Sequence, residues 1–149
     1  MIMKLPSELA ALFERDLEKL SKELNAYKKE DDIWVVKGEI KNAAGTLFLH
    51  LCGNLKHFIG ATLDNSGYVR DREFEFAGKV TKEELAKDIQ ETKDMLAIYF
   101  GRVSIDDMSD PYPLQPFGYP MTKSQFIIHL YGHLSYHMGQ INYHRRLVG

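Results

Sequence analysis

Four of the chain's six histidines stand on one stretch near its end, and two of them have the spacing of a metal pair. Residues 123–147 read KSQFIIHLYGHLSYHMGQINYHRRL, with His129, His133 and His137 at successive i, i+4 steps and His144 one heptad after His137. On an α-helix an i+4 step turns a side chain by only about 40°, so such residues rise from one face. With Phe126 as zero, Leu130, Leu134 and Ile141 fall within about 80° on one side and mark the stripe that packs inward. His133 and His137 lie about 20° either side of that zero, at the edge of the stripe or inside it, and His129 about 60° the other way. Two imidazoles one turn apart can each place a ring nitrogen on one divalent ion at about 2.0–2.1 Å. The plain alternative is a helix whose histidines are solvated or satisfied by hydrogen bonds. Buried uncharged rings need partners for every nitrogen, which makes the pair on the apolar side the harder one to explain that way.

A second histidine pair, His50 and His57, stands one heptad apart on a helix expected over residues 42–63. Seven residues separate them by about 10 Å, too far for one ion to use both. Leu47, Leu51, Asn54 and Phe58 share a face of this helix, and His50 lies at its edge. Asn54, one turn after His50, and Gln140, three residues after His137, project towards the histidines. Each fits a hydrogen bond to a ligand imidazole or substrate, or an ordinary interhelical one.

The elements that position these residues read as four long helices. The first, over residues 7–27, starts at Pro6-Ser7 and repeats Leu9, Phe13, Leu17, Leu20 and Leu24 at threes and fours. Ile33-Trp34-Val35-Val36 is too short for a helix and is expected to pack a loop on the bundle end. Asp64-Asn65-Ser66-Gly67 stops the second helix. The loop after it, Tyr68 to Phe74, alternates charges, as a solvated, internally paired loop or as the rim of a pocket. There Arg70 and Arg72 are candidates to bind an anionic group. The third helix opens on a capping box at Thr81 and Glu84 and ends near Gly101. A connection over residues 102–121, rich in proline and glycine, crosses to the last helix, which Thr122 and Gln125 cap. Four long helices with one long connection predict an all-α, single-domain four-helix bundle over residues 1–149.

Composition narrows the function. A net charge of −2 with no basic run gives no reason to expect nucleic acid. Nothing approaches 18 consecutive apolar residues, so no membrane partner is expected. One cysteine, Cys52, excludes an intrachain disulfide; it points away from His50 and reads as a small buried side chain. These features place the chain in the cytoplasm.

Three segments in order, His50-Leu51-Cys52-Gly53-Asn54-Leu55, Arg70-Asp71-Arg72-Glu73-Phe74 and His133-Leu134-Ser135-Tyr136-His137-Met138-Gly139-Gln140-Ile141, resemble the DinB-like (YfiT-like) metalloenzyme superfamily, and more narrowly its DUF1572-type branch. The likeness spans nearly the whole chain. It implies an up-down-down-up bundle, a homodimer, and a divalent metal, zinc or nickel before iron or manganese, on His50, His133 and His137. His57 and His129 are left as neighbours of that set. By resemblance, some relatives transfer or isomerise groups with low-molecular-weight thiols, implying a thiol or other small-molecule substrate.

Three neutral imidazoles leave a divalent ion its full charge and an open position, suited to activating water or a thiol. Leu134 after the first of the helical pair rules out a His-Glu-x-x-His protease helix. No glutamate stands a turn from the pair, which speaks against a di-iron carboxylate site. Two function classes follow: a metal-dependent thiol transferase or small hydrolase, and a non-catalytic bundle stabilised by its metal or histidine network.

Overall fold

The computed structural model describes residues 4–149, and they form an all-α bundle. Helix α1 spans Leu5–Ala26, with Pro6 in its first turn, where a missing N–H is harmless. Helix α2 runs over Ala44–Leu55, then through a π-helical turn, Lys56–Ala61, to a last turn at Thr62–Asp64. Helix α3 is short, Arg72–Ala77; α4 spans Lys82–Arg102 and α5 Lys123–Val148. Among the described residues no helix is long and apolar enough to cross a membrane.

Side-chain contacts fix the topology. Phe13 of α1 stacks on Phe100 of α4, and Lys82 near the other end of α4 donates to the carbonyl of Tyr27, so these helices are antiparallel. Arg15 meets Tyr131 and Glu23 meets Arg145, so α1 and α5 run parallel. Lys56 bonds Asp88 and Glu91 of α4, and Asp64 pairs with Arg102, so α2 and α4 are also parallel. His50 meets His133 while Phe58 meets Phe126, which makes α2 and α5 antiparallel. The order is up-down-down-up, with α1 diagonal to α2.

The core is built on α1 leucines and Phe13, on Ile89 and Leu96 of α4, and on Phe126, Leu130, Leu134 and Ile141 of α5. Helix α2 differs from its expected one-faced pattern: every residue of Ala44–Leu55 is buried, because α3 and the 3₁₀ turn Glu30–Trp34 cover the side that the other long helices leave open. Trp34 lies against Gly45, where a Cβ would overlap its indole.

The π turn leaves backbone carbonyls without regular partners, and the connection over residues 103–122 supplies one. Tyr112 donates from its hydroxyl to the Phe58 carbonyl at 2.6 Å, and the Thr62 hydroxyl donates to that of His57 at 2.9 Å. The connection folds back on itself through a bridge between Pro111 and Thr122. Asn65, at φ 50°, and Gly67, at φ 80°, turn the chain out of α2. The capping box at Thr81 and Glu84 is complete; at α5 the Thr122 side chain accepts from the Gln125 backbone N–H.

Candidate metal centre

The antiparallel crossing of α2 and α5 brings three imidazoles together. Nε2 of His133 lies 3.1 Å from Nε2 of His50 and 3.1 Å from Nε2 of His137. One ligand nitrogen from each of the three lies within 4.8 Å of the others, close enough to hold a metal ion. A tetrahedron of 2.0–2.1 Å bonds has an edge of about 3.3 Å, so the spacing is that of a ligand set. His50 is buried, and His133 and His137 are half-buried, leaving the solvent side to α5.

Two of the three rings are oriented by acceptors on their far side. His50 Nδ1 lies 3.1 Å from Glu75 Oε1, and His137 Nδ1 lies 2.7 Å from Gln140 Oε1. Burial pushes the Glu75 carboxyl up, but hydrogen bonds from Arg70 and His50, and then the charge of Arg70, outweigh it and hold the group below its ordinary range. Glu75 is thus an ionised carboxylate, able only to accept, and His50 must donate its Nδ1–H. The amide oxygen of Gln140 imposes the same on His137. Both Nε2 atoms are then bare lone pairs turned on one another's neighbour, with at most the single proton of His133 between the three. Divalent-ion chemistry fits this donor set: one cation satisfies three lone pairs that the protein leaves facing inward.

Protonation is disfavoured here for the same reasons. Burial, then the neighbouring His137 and His50, bring His133 down to about 4. Burial also lowers His137, against the hydrogen bond to Gln140. Neutral rings are the form that binds metal.

Glu75 is the functional residue the sequence did not single out. It comes from α3, in a segment expected to be a loop through Phe74; Asp71 instead caps a helix by accepting from the Phe74 backbone N–H at 2.9 Å. The signal was Asp71 itself, a good cap three residues before an apolar position. Gly53 makes room: a Cβ there would overlap the Glu75 carboxylate. Arg70 binds that carboxylate through two nitrogens, each at 2.8 Å, and so is committed within the protein, contrary to its expected role as a free anion anchor. Arg72 is exposed and lies over the ring of Phe76, which in turn packs 5.0 Å from His50.

The remaining candidates fall outside the triad. His129 is exposed, stacked on Phe126 and edge-on to Phe117, with its ring 6.4 Å from that of His133. His57 sits in the π turn against Phe58. His144 is a satisfied core residue: its Nε2 lies 2.7 Å from the Val35 carbonyl and its Nδ1 2.7 Å from the Tyr27 hydroxyl. Asn54 is buried near the crossing. Tyr136 is 65% exposed. Cys52 is buried, and burial, then the charge of Asp88, raises its thiol well above the usual range, which leaves it unreactive.

No family model matches the chain, and no curated protein matches it. Among solved structures it is similar to a conserved protein from Enterococcus faecalis. The two are 16% identical, with a TM-score of 0.73, over 99% of this chain and 98% of that one. At that identity the likeness shows the fold alone.

Proposed function

We propose that this protein is a divalent-metal-dependent enzyme of the DinB-like kind, in which His50, His133 and His137 hold the ion and a low-molecular-weight thiol or water is activated on it. The observation that carries the reading is the convergence of three imidazoles, with His133 Nε2 3.1 Å from Nε2 of both His50 and His137, and the latter two left bare by the acceptors on their far sides. Such an ion, when bound, lowers the pKa of a coordinated water or thiol towards or below neutrality. The protein's own contribution is orientation: Glu75 fixes the His50 ring and Gln140 the His137 ring. Zinc or nickel suits an all-imidazole set best. The half-buried faces of His133 and His137 leave room for a small substrate.

The test is elemental analysis of untagged protein, with His133→Ala and His137→Ala beside it. About one equivalent of zinc or nickel, lost in both variants, supports the site. Consumption of a thiol by the loaded wild type alone then supports the transferase. Protein that stays metal-free after incubation with zinc, nickel, iron and manganese sinks the proposal.

One observation favours the non-catalytic reading. The clefts beside the centre, 360 Å³ behind Glu75 and 530 Å³ behind Gln140, each reach one residue that holds a ligand ring and none of His50, His133 and His137. A purely structural ion predicts a large loss of stability on chelation and no turnover with any thiol or ester.

A further inference from the structure

Among the described residues, two buried side-chain atoms have no hydrogen-bond partner: Nδ1 of His133 and Oδ1 of Asn54. We propose that they are the two halves of one hydrogen bond that forms when a divalent ion occupies the histidine centre, so that Asn54 holds His133 as Glu75 holds His50 and Gln140 holds His137. The inference rests on the three-histidine reading and extends it to a positioning residue for each imidazole.

Proton accounting leads to it. In the metal-free protein Nε2 of His50 and Nε2 of His137 are both bare, because each ring spends its proton on its outer acceptor. His133 lies 3.1 Å from both, and only its own Nε2–H can stand between them. Its Nδ1 is then a lone pair. A lone pair on Nδ1 and a lone pair on Oδ1 share no proton, so in this tautomer neither atom satisfies the other.

Metal loading requires the Nε2 lone pair of His133. The ring gives up its Nε2 proton to solvent and takes one from solvent on Nδ1, so it stays neutral with no net proton released. Nδ1–H is now a buried donor, and a buried donor needs an acceptor. Asn54 is 7% exposed, and its Oδ1, the atom that can accept, is the one turned inward without a partner. The helix crossing supplies the register. His50 meets His133, and Phe58 packs on Phe126 with ring centroids 5.2 Å apart. Asn54 stands one turn from each, so it lies opposite the turn of α5 that carries Leu130 and His133. A small shift or one bridging water joins the pair.

The experiment uses the full chain with zinc as the probe and Asn54→Leu, which keeps the volume and removes both polar atoms. Three quantities are read: the thermal midpoint of the metal-free protein, the zinc dissociation constant by chelator competition, and the ring-nitrogen NMR signature of His133 with and without zinc. The expected result is a metal-free variant at least as heat-stable as wild type, because an unpaired buried group has gone, with zinc bound about 10–100-fold more weakly. In wild type the His133 proton moves from Nε2 to Nδ1 on loading, and the new Nδ1–H exchanges slowly. Should the leucine variant melt early, Asn54→Asp keeps an acceptor in the same place and is expected to hold zinc within a few-fold of wild type. Zinc bound equally by wild type and Asn54→Leu overturns the inference while leaving the triad intact, as does an aspartate variant as weak as an early-melting leucine one. No zinc on wild type overturns both.

Discussion

A single added methyl group at Gly53 is expected to disable the centre without touching a ligand. Gly53 sits on α2, a helix buried on all sides, so its backbone cannot retreat. The new Cβ would overlap the Glu75 carboxylate, which must swing away. Two losses follow. Arg70 and Glu75, with side chains 12% and 5% exposed, part company, and breaking a buried pair costs about 3–5 kcal/mol. The helix propensity of alanine over glycine offsets up to about 1 kcal/mol of that. His50 meanwhile loses its acceptor, and what remains near Nδ1 is Arg70 Nη2 at 3.4 Å, which can only donate. The ring then presents its lone pair to Arg70 and carries its proton on Nε2, where the ion should bind. Loss of an outer-sphere acceptor lowers metal affinity by about 10–100-fold, or about 1.4–2.8 kcal/mol. Urea unfolding and zinc competition on Gly53→Ala should therefore show a net loss of about 2–4 kcal/mol in stability and a one- to two-decade loss in affinity. Gly139→Ala is the control: it makes the same change two residues from His137, where a Cβ meets nothing within 4 Å. It should gain about 0.5–1 kcal/mol and bind zinc as wild type does. Gly53→Ala protein as stable as wild type, with undiminished affinity, would refute the Glu75 argument outright.

Further expectations follow from the same geometry. The metal-free protein should lose stability as pH falls from about 6.5 to about 4, because the unfolded chain takes up a proton on His133 that the folded chain resists. The ring is half open to solvent, so the slope should total about 1–2 kcal/mol, below the full linkage value. Urea titrations at pH 7 and pH 5 check it, a window above the carboxylates, and His133→Gln should reduce the slope to what His137 and His57, also lowered by burial, contribute. Tyr131→Phe leaves the buried Asp16 without the hydroxyl that bonds it at 2.7 Å, and should cost about 1–3 kcal/mol in thermal or urea melts with metal content unchanged.

The bundle and the α5 histidine pair were legible because both are periodic: a 3.6-residue repeat sets the faces, and i, i+4 imidazoles announce themselves. His50 needed the resemblance, since nothing local separates it from His57. The π turn left no sequence mark, and it lies where His57 begins to depart from the heptad argument. Glu75 and Arg70 were hidden by their own chemistry. A run of alternating charges reads as a solvated loop, and only the tertiary fold, which presses α3 onto the Gly53 side of α2, turns two of those charges into a buried pair.

Helix α5 also shows why histidine spacing alone cannot name a site. His144 continues the face of His137 at heptad spacing and is more deeply buried, yet it has no part in the triad. Its two nitrogens are already spent: Nε2–H donates to the Val35 carbonyl, and Nδ1 accepts from the Tyr27 hydroxyl. His133 and His137 differ in having nitrogens with no protein partner of the right kind, and that deficit, not the spacing, is the mark of a ligand. The distinction can be measured. His144→Ala strands a buried hydroxyl and a carbonyl and opens a cavity, so it should destabilise the protein by about 2–4 kcal/mol while zinc stoichiometry stays at the wild-type value. His137→Ala should do the reverse, abolishing zinc binding with little change in the metal-free midpoint, because it removes a lone pair that faced others. If His144→Ala lost the metal in protein that remained folded, the accounting of partners would be the wrong criterion.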